Sequence, residues 1–423
     1  MVILHLLREA TKVNNGDLII MNIGMILDNE FTGDLRVENE VQALQSAGYN
    51  VFVLCLNFGT KPKRETFCGA TIIRINKSKK TIKKLRALTN TIFNFYPYFW
   101  EKHIEEFVEE FKIDILHVHD LYMFGSAFIY NKRAVKKLKI VGDLHENYVA
   151  GLQYYRFSTT FPGNVLISIP KWKRTKIKWI KKLDYAITVI EEAVERYHSL
   201  GIKREKFSIV ANYVNREVFN QQQIDDSIIS KFKGKFVVTY IGAFDLHRGI
   251  ESVVKSMPLL KKTITNIQLV LVGTGRNLTE LKKLAQDLNV EEIISFEGWR
   301  PPDTLLSYIK SSDVCLIPHL KTQHTDNTIP HKLFQYMYFE RPVISTNCNP
   351  IKRILDETEA GLIYESNNHA DLGDKILHLW NNDDLRRKMG ENGKKAVEEK
   401  YNWKATSKNL IELYDRIKND IGL

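Results

Sequence analysis

The chain has 423 residues, of which 44% are hydrophobic and 26% are charged, and its formal net charge is +11. A chain of this length is longer than one hydrophobic core typically supports, so two domains are expected. The composition is that of an ordinary soluble globular protein. No apolar run reaches the ~20 residues needed to span a bilayer, so a membrane-spanning helix is not expected.

The positive charge is concentrated in the first half of the chain. Residues 1–217 carry 33 Lys and Arg against 23 Asp and Glu, a net charge of +10. Residues 218–423 carry 28 against 27, a net charge of +1. The first half should therefore meet something anionic, either a membrane surface, a phosphorylated substrate or a nucleic acid.

The cysteines and the N-terminus indicate the compartment. The cysteines are widely separated and show no Cys-x-x-Cys pair or Cys/His ligand spacing, which predicts a reduced, cytoplasmic protein without a bound metal. They are Cys55, Cys68, Cys315 and Cys348. Residues 1–17 begin apolar but lack the flanking charges and the cleavage site of a signal peptide, so we interpret them as a short extension.

The first predicted strand, Leu18–Ile26, is followed by a turn, a helix and the apolar strand Tyr49–Leu56. A continuous apolar strand that follows a helix is typical of a parallel sheet buried on both faces. The turn contains three candidate site residues, Thr32, Gly33 and Asp34.

Two further predicted strands end in polar residues. Asp114–Val118 leads to His119 and Asp120, and Lys139–Val141 leads to Asp-Leu-His-Glu, which contains His145 and Glu146. In open α/β sheets the ligand crevice lies outside the carboxyl ends of the strands. Asp120, His145 and Glu146 are therefore candidate site residues.

Two segments combine basic and aromatic residues. Residues 76–103 place six Lys or Arg before a cluster of Phe, Tyr and Trp, and residues 171–182 contain seven basic residues and no acidic one. Basic residues with Trp on a helix suit an anionic bilayer surface. The predicted membrane contacts are Lys171, Trp172, Lys173, Arg174, Lys178 and Trp179. The alternative is a solvated helix whose tryptophans pack inward. Nucleic acid is not expected as a partner, because no recognisable nucleic-acid-binding motif accompanies the aromatic residues.

Residues 218–235 are polar and lack a long apolar pattern, which predicts a linker. The alternation of strand and helix restarts after it. Strand Phe236–Ile241 ends at Gly242, and Arg248 lies just before the next helix. Two successive parallel-sheet domains with loops at facing strand ends imply a cleft between them.

The predicted strand Gln268–Val272 ends in Gly273-Thr274-Gly275. Glycine lets the backbone approach a ligand closely. A Gly-x-Gly sequence also occurs in ordinary tight strand-to-helix turns, so this signal is weak alone.

Residues 325–347 combine polar groups, a helix start and a strand. Pro330 fits a first helical turn, Asp326, Asn327 or Thr328 could cap that start, and the helix is expected over His331–Phe339. A helix N-terminus suits phosphate, and Lys332 adds a full positive charge. The alternative is an ordinary α/β crossover helix.

Read together, these sequences resemble the retaining nucleotide-sugar glycosyltransferases of family 4. The matching segments are DLRVENEVQAL, DILHVHD, GDLHE, ANYVNREVF, YIGAFDLHRGI, LVLVGTG, ISFEGW, SSDVCLIP, PHKLFQYMYFERPVIST and GENGKKAVEEKYNW. The resemblance implies the α/β GT-B fold, in which two Rossmann-like parallel-sheet domains face each other across a cleft. It places an acceptor-binding domain at residues 1–217, the linker at 218–235, a nucleotide-sugar-binding domain at 236–400, and in 401–423 a helix that crosses back to the first domain.

The resemblance also implies an activity. Such an enzyme transfers a sugar from a nucleoside diphosphate sugar to a polysaccharide or lipid-linked acceptor, without a metal or another cofactor. By motif position, His145 lies near the donor sugar and Arg248 on the donor pyrophosphate. Gly242, Gly273, Gly275, Pro330 and Lys332 belong to the donor-binding set. The expected location is cytoplasmic and peripheral on the membrane.

Two positions depart from the family pattern. The family has two glutamates eight positions apart, which contact the donor sugar and the ribose, and here these positions are Asn327 and Gln335. Amides can still hydrogen-bond but supply no carboxylate. A catalytically weakened nucleotide-sugar-binding or scaffold protein is therefore the main alternative, and a sugar-nucleotide epimerase is another. A dinucleotide oxidoreductase fits poorly, because no Gly-x-Gly-x-x-Gly follows the first strand.

Overall fold

The computed structural model describes residues 20–145, 148–152, 156–215 and 223–423. The chain divides into two compact units. The first unit comprises residues up to 143, 160–186 and 410–423, and the second comprises residues 144–159 and 187–409.

The secondary structure alternates between strands and helices. The strands are β1 Asn22–Ile26, β2 Asn50–Asn57, β3 Arg64–Phe67, β4 Ala70–Asn76, β5 Ile115–His119, β6 Lys139–Leu144, β7 Tyr185–Thr188, β8 Phe207–Ile209, β9 Phe236–Ile241, β10 Ile267–Val272, β11 Ile294–Gly298, β12 Val314–Ile317, β13 Val343–Thr346 and β14 Gly361–Tyr364. The helices are α1 Leu35–Ser46, α2 Lys79–Ala87, α3 Tyr96–Phe111, α4 Phe124–Arg133, α5 Tyr148–Gly151, α6 Arg156–Thr159, α7 Gly163–Leu166, α8 Ile169–Lys182, α9 Glu191–His198, α10 Asp226–Lys231, α11 Ile250–Thr263, α12 Leu278–Asp287, α13 Leu305–Lys310, α14 Lys332–Tyr338, α15 Asn349–Thr358, α16 His369–Trp380, α17 Asp383–Glu399 and α18 Trp403–Ile421.

The first sheet has eight strands in the order β3-β4-β2-β1-β5-β6-β7-β8. Its central strand β1 pairs in parallel with β2 and β5, and the edge strand β3 pairs antiparallel with β4. Gly24 of β1 lies against α3 and the residues after it. A Cβ there would lie 2.8 Å from atoms of Phe107 and Ile113, so glycine permits this close packing.

The second sheet has six strands in the order β11-β10-β9-β12-β13-β14, and each neighbouring pair is parallel. Alternate residues of β9 enter two different core clusters, with Val238 and Tyr240 in one and Val237 and Ile241 in the other. Successive side chains of a strand point to opposite faces. The sheet is therefore covered on both faces, which explains the continuous apolar strands of the sequence.

The predicted α/β class with two parallel sheets is confirmed. The hairpin of β3 and β4 was not predicted. Within the predicted linker, residues 226–231 form helix α10, and residues 216–222 lie outside the described part of the chain. The predicted domain boundaries stay a prediction.

Helix α18 contributes its last part to the first unit. Leu410, Leu413, Tyr414 and Ile417 are at most 1% exposed. The Tyr414 hydroxyl lies 2.9 Å from Nδ1 of the buried His117. The tyrosine thereby satisfies a polar group inside the first unit.

Candidate functional site

Two loops of the second unit meet at the carboxyl ends of β9 and β10. Gly242 and Gly273 have φ angles of +146° and +140°. A Cβ on Gly273 would lie 2.0 Å from the carbonyl oxygen of Gly242, and a Cβ on Gly275 would lie 2.6 Å from the backbone N of Phe244. The three glycines were predicted for their approach to a ligand. The close contact that the structure shows is between the two loops themselves.

Lys332 reaches this junction from the first turn of α14. Its Nζ lies 4.3 Å from the centroid of the Tyr240 ring. A Cβ added to Gly242 would lie 2.6 Å from the same Nζ. Burial, followed by the charge of Arg248, holds the pKa of the Lys332 ammonium well below its usual range. An anion bound beside this group would favour its charged form.

Arg248 ends a 3-10 turn over Leu246–Arg248 that follows β9. Its Nη1 lies 3.0 Å from Nε2 of His319, which follows β12 and is 3% exposed. The next residue, Gly249, has a φ of +66°, and a Cβ on it would lie 1.9 Å from the Pro318 carbonyl oxygen. The backbone thus holds the two loops in close contact beside the Arg248 side chain.

The sequence analysis missed His319. A polar residue just past the carboxyl end of β12 was the available signal, since β12 pairs directly with β9. That pairing cannot be read from either segment alone.

Arg248 and Lys332 are two cationic side chains without a neighbouring carboxylate in the described part of the chain. Across the described ranges, neither side chain has an Asp or Glu oxygen within 4.0 Å of its nitrogen atoms. Nε of Arg248 is buried and, among the described residues, has no hydrogen-bond partner. Both side chains are half-buried. A cation that is partly removed from water without a counter-charge is costly, so this arrangement favours an anionic ligand.

Helix α14 lies within one residue of the predicted bounds at each end. The prediction that Asp326, Asn327 or Thr328 caps it is wrong, because His331 precedes the helix without a side-chain cap. Asp326 instead accepts hydrogen bonds from Lys321 Nζ at 2.8 Å and from the backbone N of Asn349 at 2.9 Å.

The start of α14 uses the remaining predicted donor-site residues in different ways. The Pro330 carbonyl accepts from the backbone N of Leu333 at 3.1 Å. The Asn327 amide is engaged at both ends, since its Oδ1 accepts from Arg196 and its Nδ2 donates to the Gln323 carbonyl at 2.6 Å. The half-buried Gln335 side chain has no hydrogen-bond partner among the described residues. Gln335 is therefore the amide that remains available to a ligand.

The predicted turn of the first unit organises the start of α1. Asp34 caps the helix by accepting from the Val37 backbone N at 3.4 Å, and the Gly33 backbone N donates to Glu38 Oε1 at 2.7 Å. Thr32 Oγ1 accepts from Arg74 at 3.1 Å. These contacts give all three residues a structural role.

The other predicted residues of the first-domain loops follow β5 and β6. Asp120 has a φ of +70° and accepts from the Tyr122 hydroxyl at 2.7 Å. His145 follows β6 directly and is half-buried. Glu146 lies outside the described residues.

A buried polar cluster joins α1, β5 and β6 in the first unit. Arg36 donates to Asp143 at 2.9 Å and lies 3.0 Å from Glu40, and the rings of His117 and His119 stack with centroids 4.4 Å apart. The ligand atoms of the two acids and two histidines lie within 4.8 Å of one another. A cation could be held there by geometry, but the Arg36 guanidinium already supplies positive charge to both carboxylates.

Helix α8 turns its tryptophans inward. Trp172 is 2% exposed and makes an edge contact with Trp179 at 5.9 Å. Trp179 is half-buried and contacts Phe128 at 6.3 Å. The prediction of Trp172 as a membrane contact is therefore wrong, because this side chain is buried inside the first unit, whereas membrane contact of the half-buried Trp179 stays a prediction. The predicted basic contacts Lys171, Lys173, Arg174 and Lys178 are exposed.

The loop between α2 and α3 exposes large apolar side chains beside this helix. Ile92, Phe93 and Phe95 are 83%, 45% and 61% exposed. The loop is joined to α8 by a hydrogen bond from Thr175 Oγ1 to Asn90 Oδ1 at 3.3 Å. Among the described residues, no helix has the length and apolarity to cross a bilayer.

Two protein-family models together match most of the chain. The family model for Glycosyltransferase Family 4 matches residues 35–218, and the model for Glycosyl transferases group 1 matches residues 221–396. The chain is also similar to an uncharacterized glycosyltransferase from Haemophilus influenzae. The two are 26% identical over 385 residues, which cover 90% of this chain and 94% of that protein.

Two solved structures share the fold. Sucrose-phosphate synthase from Thermosynechococcus elongatus aligns with 95% of this chain and 100% of its own, with a TM-score of 0.71 and 16% identity. HepE from Anabaena, in complex with UDP-glucose, aligns with 94% of this chain and 100% of its own, with a TM-score of 0.66 and 12% identity.

Proposed function

The chain belongs to the family-4 glycosyltransferases of the GT-B type, and we propose that it transfers a sugar from a nucleoside diphosphate sugar to a polysaccharide or lipid-linked acceptor. The anomeric configuration is retained in this reaction. The observation that carries the proposal is that Arg248 and Lys332 lie beside the Gly242 loop with no carboxylate near either of them among the described residues. The complex of HepE with UDP-glucose supports a donor of this class.

The two cations have distinct tasks in the proposed mechanism. Arg248 presents a planar set of N–H donors to the diphosphate and stabilises the charge that develops as it departs. Lys332 takes up its proton fully when the diphosphate arrives, because the anion offsets the effects of burial and of Arg248. Catalysis therefore rests on positioning and on electrostatic support of the leaving group.

The remaining predicted residues contact the rest of the donor. Gln335 hydrogen-bonds the ribose through its amide. Asn327 lies on the donor-sugar side together with Arg196, and His145 lies beside the sugar. In a front-face displacement the acceptor hydroxyl oxygen bonds to the anomeric carbon, the bond from that carbon to the diphosphate oxygen breaks on the same face, and the hydroxyl proton passes to the departing diphosphate.

The proposed reaction uses no metal or other cofactor. Arg248 and Lys332 supply the positive charge that a divalent cation would otherwise bring to the diphosphate. Turnover should persist in excess EDTA, and a loss that Mg²⁺ or Mn²⁺ restores would contradict this point.

The acceptor is held at the cytoplasmic face of an anionic membrane. The support is the exposed basic side of α8 and the apolar side chains of the loop at Ile92–Phe95. Basic residues bind anionic headgroups while apolar side chains enter the interface.

A second candidate function is nucleotide-sugar binding without turnover. The observation that favours it is the engagement of Asn327 by Arg196 and Gln323. An amide that is already bonded at both ends is less available to the donor sugar. Release of the free sugar or of a glycosylated product separates the two functions.

The proposal is tested by ligand-induced stabilisation followed by turnover. UDP-, GDP- and ADP-sugars are screened by thermal shift, because a ligand at 100 times its Kd adds about 2.7 kcal/mol of stability. Arg248→Ala and Lys332→Ala should abolish the shift. Arg387→Ala is the matched control, since its side chain is 71% exposed on α17. Equal shifts in Arg248→Ala and the wild type would overturn the proposed donor site.

A further inference from the structure

We infer that His319 is a positioning residue that fixes the direction of the Arg248 guanidinium toward the diphosphate. The inference rests on the proposed function and adds a residue that the sequence analysis did not single out. It starts from the contact between Arg248 Nη1 and His319 Nε2 at 3.0 Å.

The chemistry of this contact settles the protonation state of His319. A guanidinium only donates hydrogen bonds, so Nε2 of His319 accepts and the ring is neutral with its proton on Nδ1. Burial acts in the same direction, and the charges of Lys332, Arg248, His247 and His324 follow it in holding the pKa of His319 well below its usual range. A protonated His319 would lose the acceptor and repel Arg248.

The backbone fixes His319 in place. The Leu320 backbone N donates to the His247 carbonyl at 3.0 Å. The His319 carbonyl accepts from Thr346 Oγ1 at 2.6 Å, which links this loop to β13. His319 is therefore a fixed acceptor against which the longer, more flexible arginine side chain is oriented.

Arg248 needs such an acceptor. Within the described part of the chain, no carboxylate lies within 4.0 Å of its guanidinium and its buried Nε has no partner. One donor on Nη1 is used by His319, and the others remain for an anion. Without His319 the guanidinium would sample several rotamers before binding.

The test measures binding of inorganic pyrophosphate and of UDP by isothermal titration calorimetry. His319→Ala should weaken binding about tenfold, as expected for losing a hydrogen bond to a charged group. His319→Gln should restore most of the affinity, because its Oε1 can accept from the guanidinium. His378→Ala, on the exposed side of α16, should bind like the wild type.

The pH dependence provides a readout that loss of packing would not produce. The ratio of the dissociation constants of the wild type and of His319→Gln cancels the titration of the probe itself. Because the pKa of His319 lies well below its usual range, this ratio should stay constant through the ordinary histidine range around pH 6.5 and should rise only at lower pH, where the ring is protonated. A ratio that rises with a midpoint in the ordinary histidine range would show that His319 is not a neutral acceptor held beside Arg248 and overturns the inference, and this comparison does not need His319→Ala to fold.

The outcomes separate the inference from the proposed function. If the wild type binds pyrophosphate and UDP and His319→Ala binds them with the same affinity, only the inference is overturned. Absence of binding to pyrophosphate, UDP, GDP and ADP in the wild type overturns both.

Discussion

The junction of the two glycine-containing loops leaves no room for a side chain at Gly273. We expect Gly273→Ala to lower the free energy of unfolding by roughly 2 kcal/mol or more, because a new Cβ would lie 2.0 Å from the Gly242 carbonyl oxygen and φ is +140°. Urea denaturation measures the change.

Gly298→Ala is the matched control for this effect. Gly298 also has a positive φ, +71°, but a Cβ there meets nothing within 4 Å. The substitution Gly298→Ala should lower the free energy of unfolding by about 1 kcal/mol, which is the penalty of the left-handed conformation alone. Equal losses in the two variants would show that the contact between the loops is not the cause.

Asp28 gives a residue-scale prediction about pH. Burial outweighs the nearby Arg86 and raises the pKa of this carboxyl to about 7. A folded-state pKa above the unfolded value means that the folded protein binds more protons. This contribution to stability is complete below about pH 4 and is lost as the pH rises through about 7.

Asp28→Asn tests that sign, because Asn keeps the side chain neutral at every pH. The variant should gain stability relative to the wild type between about pH 4 and 8. Thermal unfolding across this range measures the difference. A loss of stability in Asp28→Asn would show that the ion pair between Arg86 Nε and Asp28 Oδ2, at 2.6 Å, dominates instead.

At the residue scale, the sequence predicted some residues that lie together better than it predicted what each of them contacts. Gly242, Gly273 and Lys332 were predicted as one set, and the structure brings them together. His319 was not predicted, because its relation to Arg248 depends on two strands that are neighbours in the sheet but 71 positions apart at this contact.

At the scale of elements, helix α1 is joined to β6 through Arg36 and Asp143. Arg36→Ala should cost about 3–5 kcal/mol, because it leaves the buried carboxylates of Asp143 and Glu40 without their cation. Arg64→Ala is the control and should cost at most about 1 kcal/mol, since its pair with Glu110 is exposed. Denaturant unfolding measures the free-energy change in each variant, and equal changes would show that the buried ion pair contributes no more than the exposed one.

Local patterns predicted α14 and most strands, but they could not decide between competing partners. Asp326 could have capped α14, yet it bonds to the N-terminus of α15, which lies far along the sequence. The basic pattern of α8 predicted an amphipathic helix and left the direction of Trp172 open, because that depends on the rest of the first unit. The hairpin of β3 and β4 was missed because Arg64–Phe67 is a short, polar edge strand.

At the scale of the molecule, two parallel sheets followed from repeated apolar strands separated by helices. The pattern is a reliable signal, because a strand that is buried on both faces has no exposed face and therefore no alternating polar residues.

The uneven charge gives a prediction for the whole molecule. We expect the protein to float with phosphatidylglycerol vesicles and to be released by salt, because residues 1–217 carry +10 of the net charge of +11. The triple substitution Lys173→Glu, Arg174→Glu and Lys178→Glu should abolish flotation. Phosphatidylcholine vesicles are the control for charge.

The apolar loop is tested in the same assay. Phe93→Ser combined with Phe95→Ser should reduce the fraction that stays bound in high salt, because insertion of apolar groups is not screened by ions. Val135→Ser is the matched control, since Val135 is fully exposed elsewhere in the first unit. Equal flotation of the double variant and the wild type would exclude this loop as an anchor.

The position of α18 has a consequence for synthesis on the ribosome. Residues 410–423 complete the unit to which the first strands belong. These strands leave the ribosome early but lack Leu413, Tyr414 and Ile417 until the whole of the second unit has been translated. Folding of the first unit is therefore completed only after the second unit has been translated, and during elongation its exposed apolar surface is a natural target for chaperones.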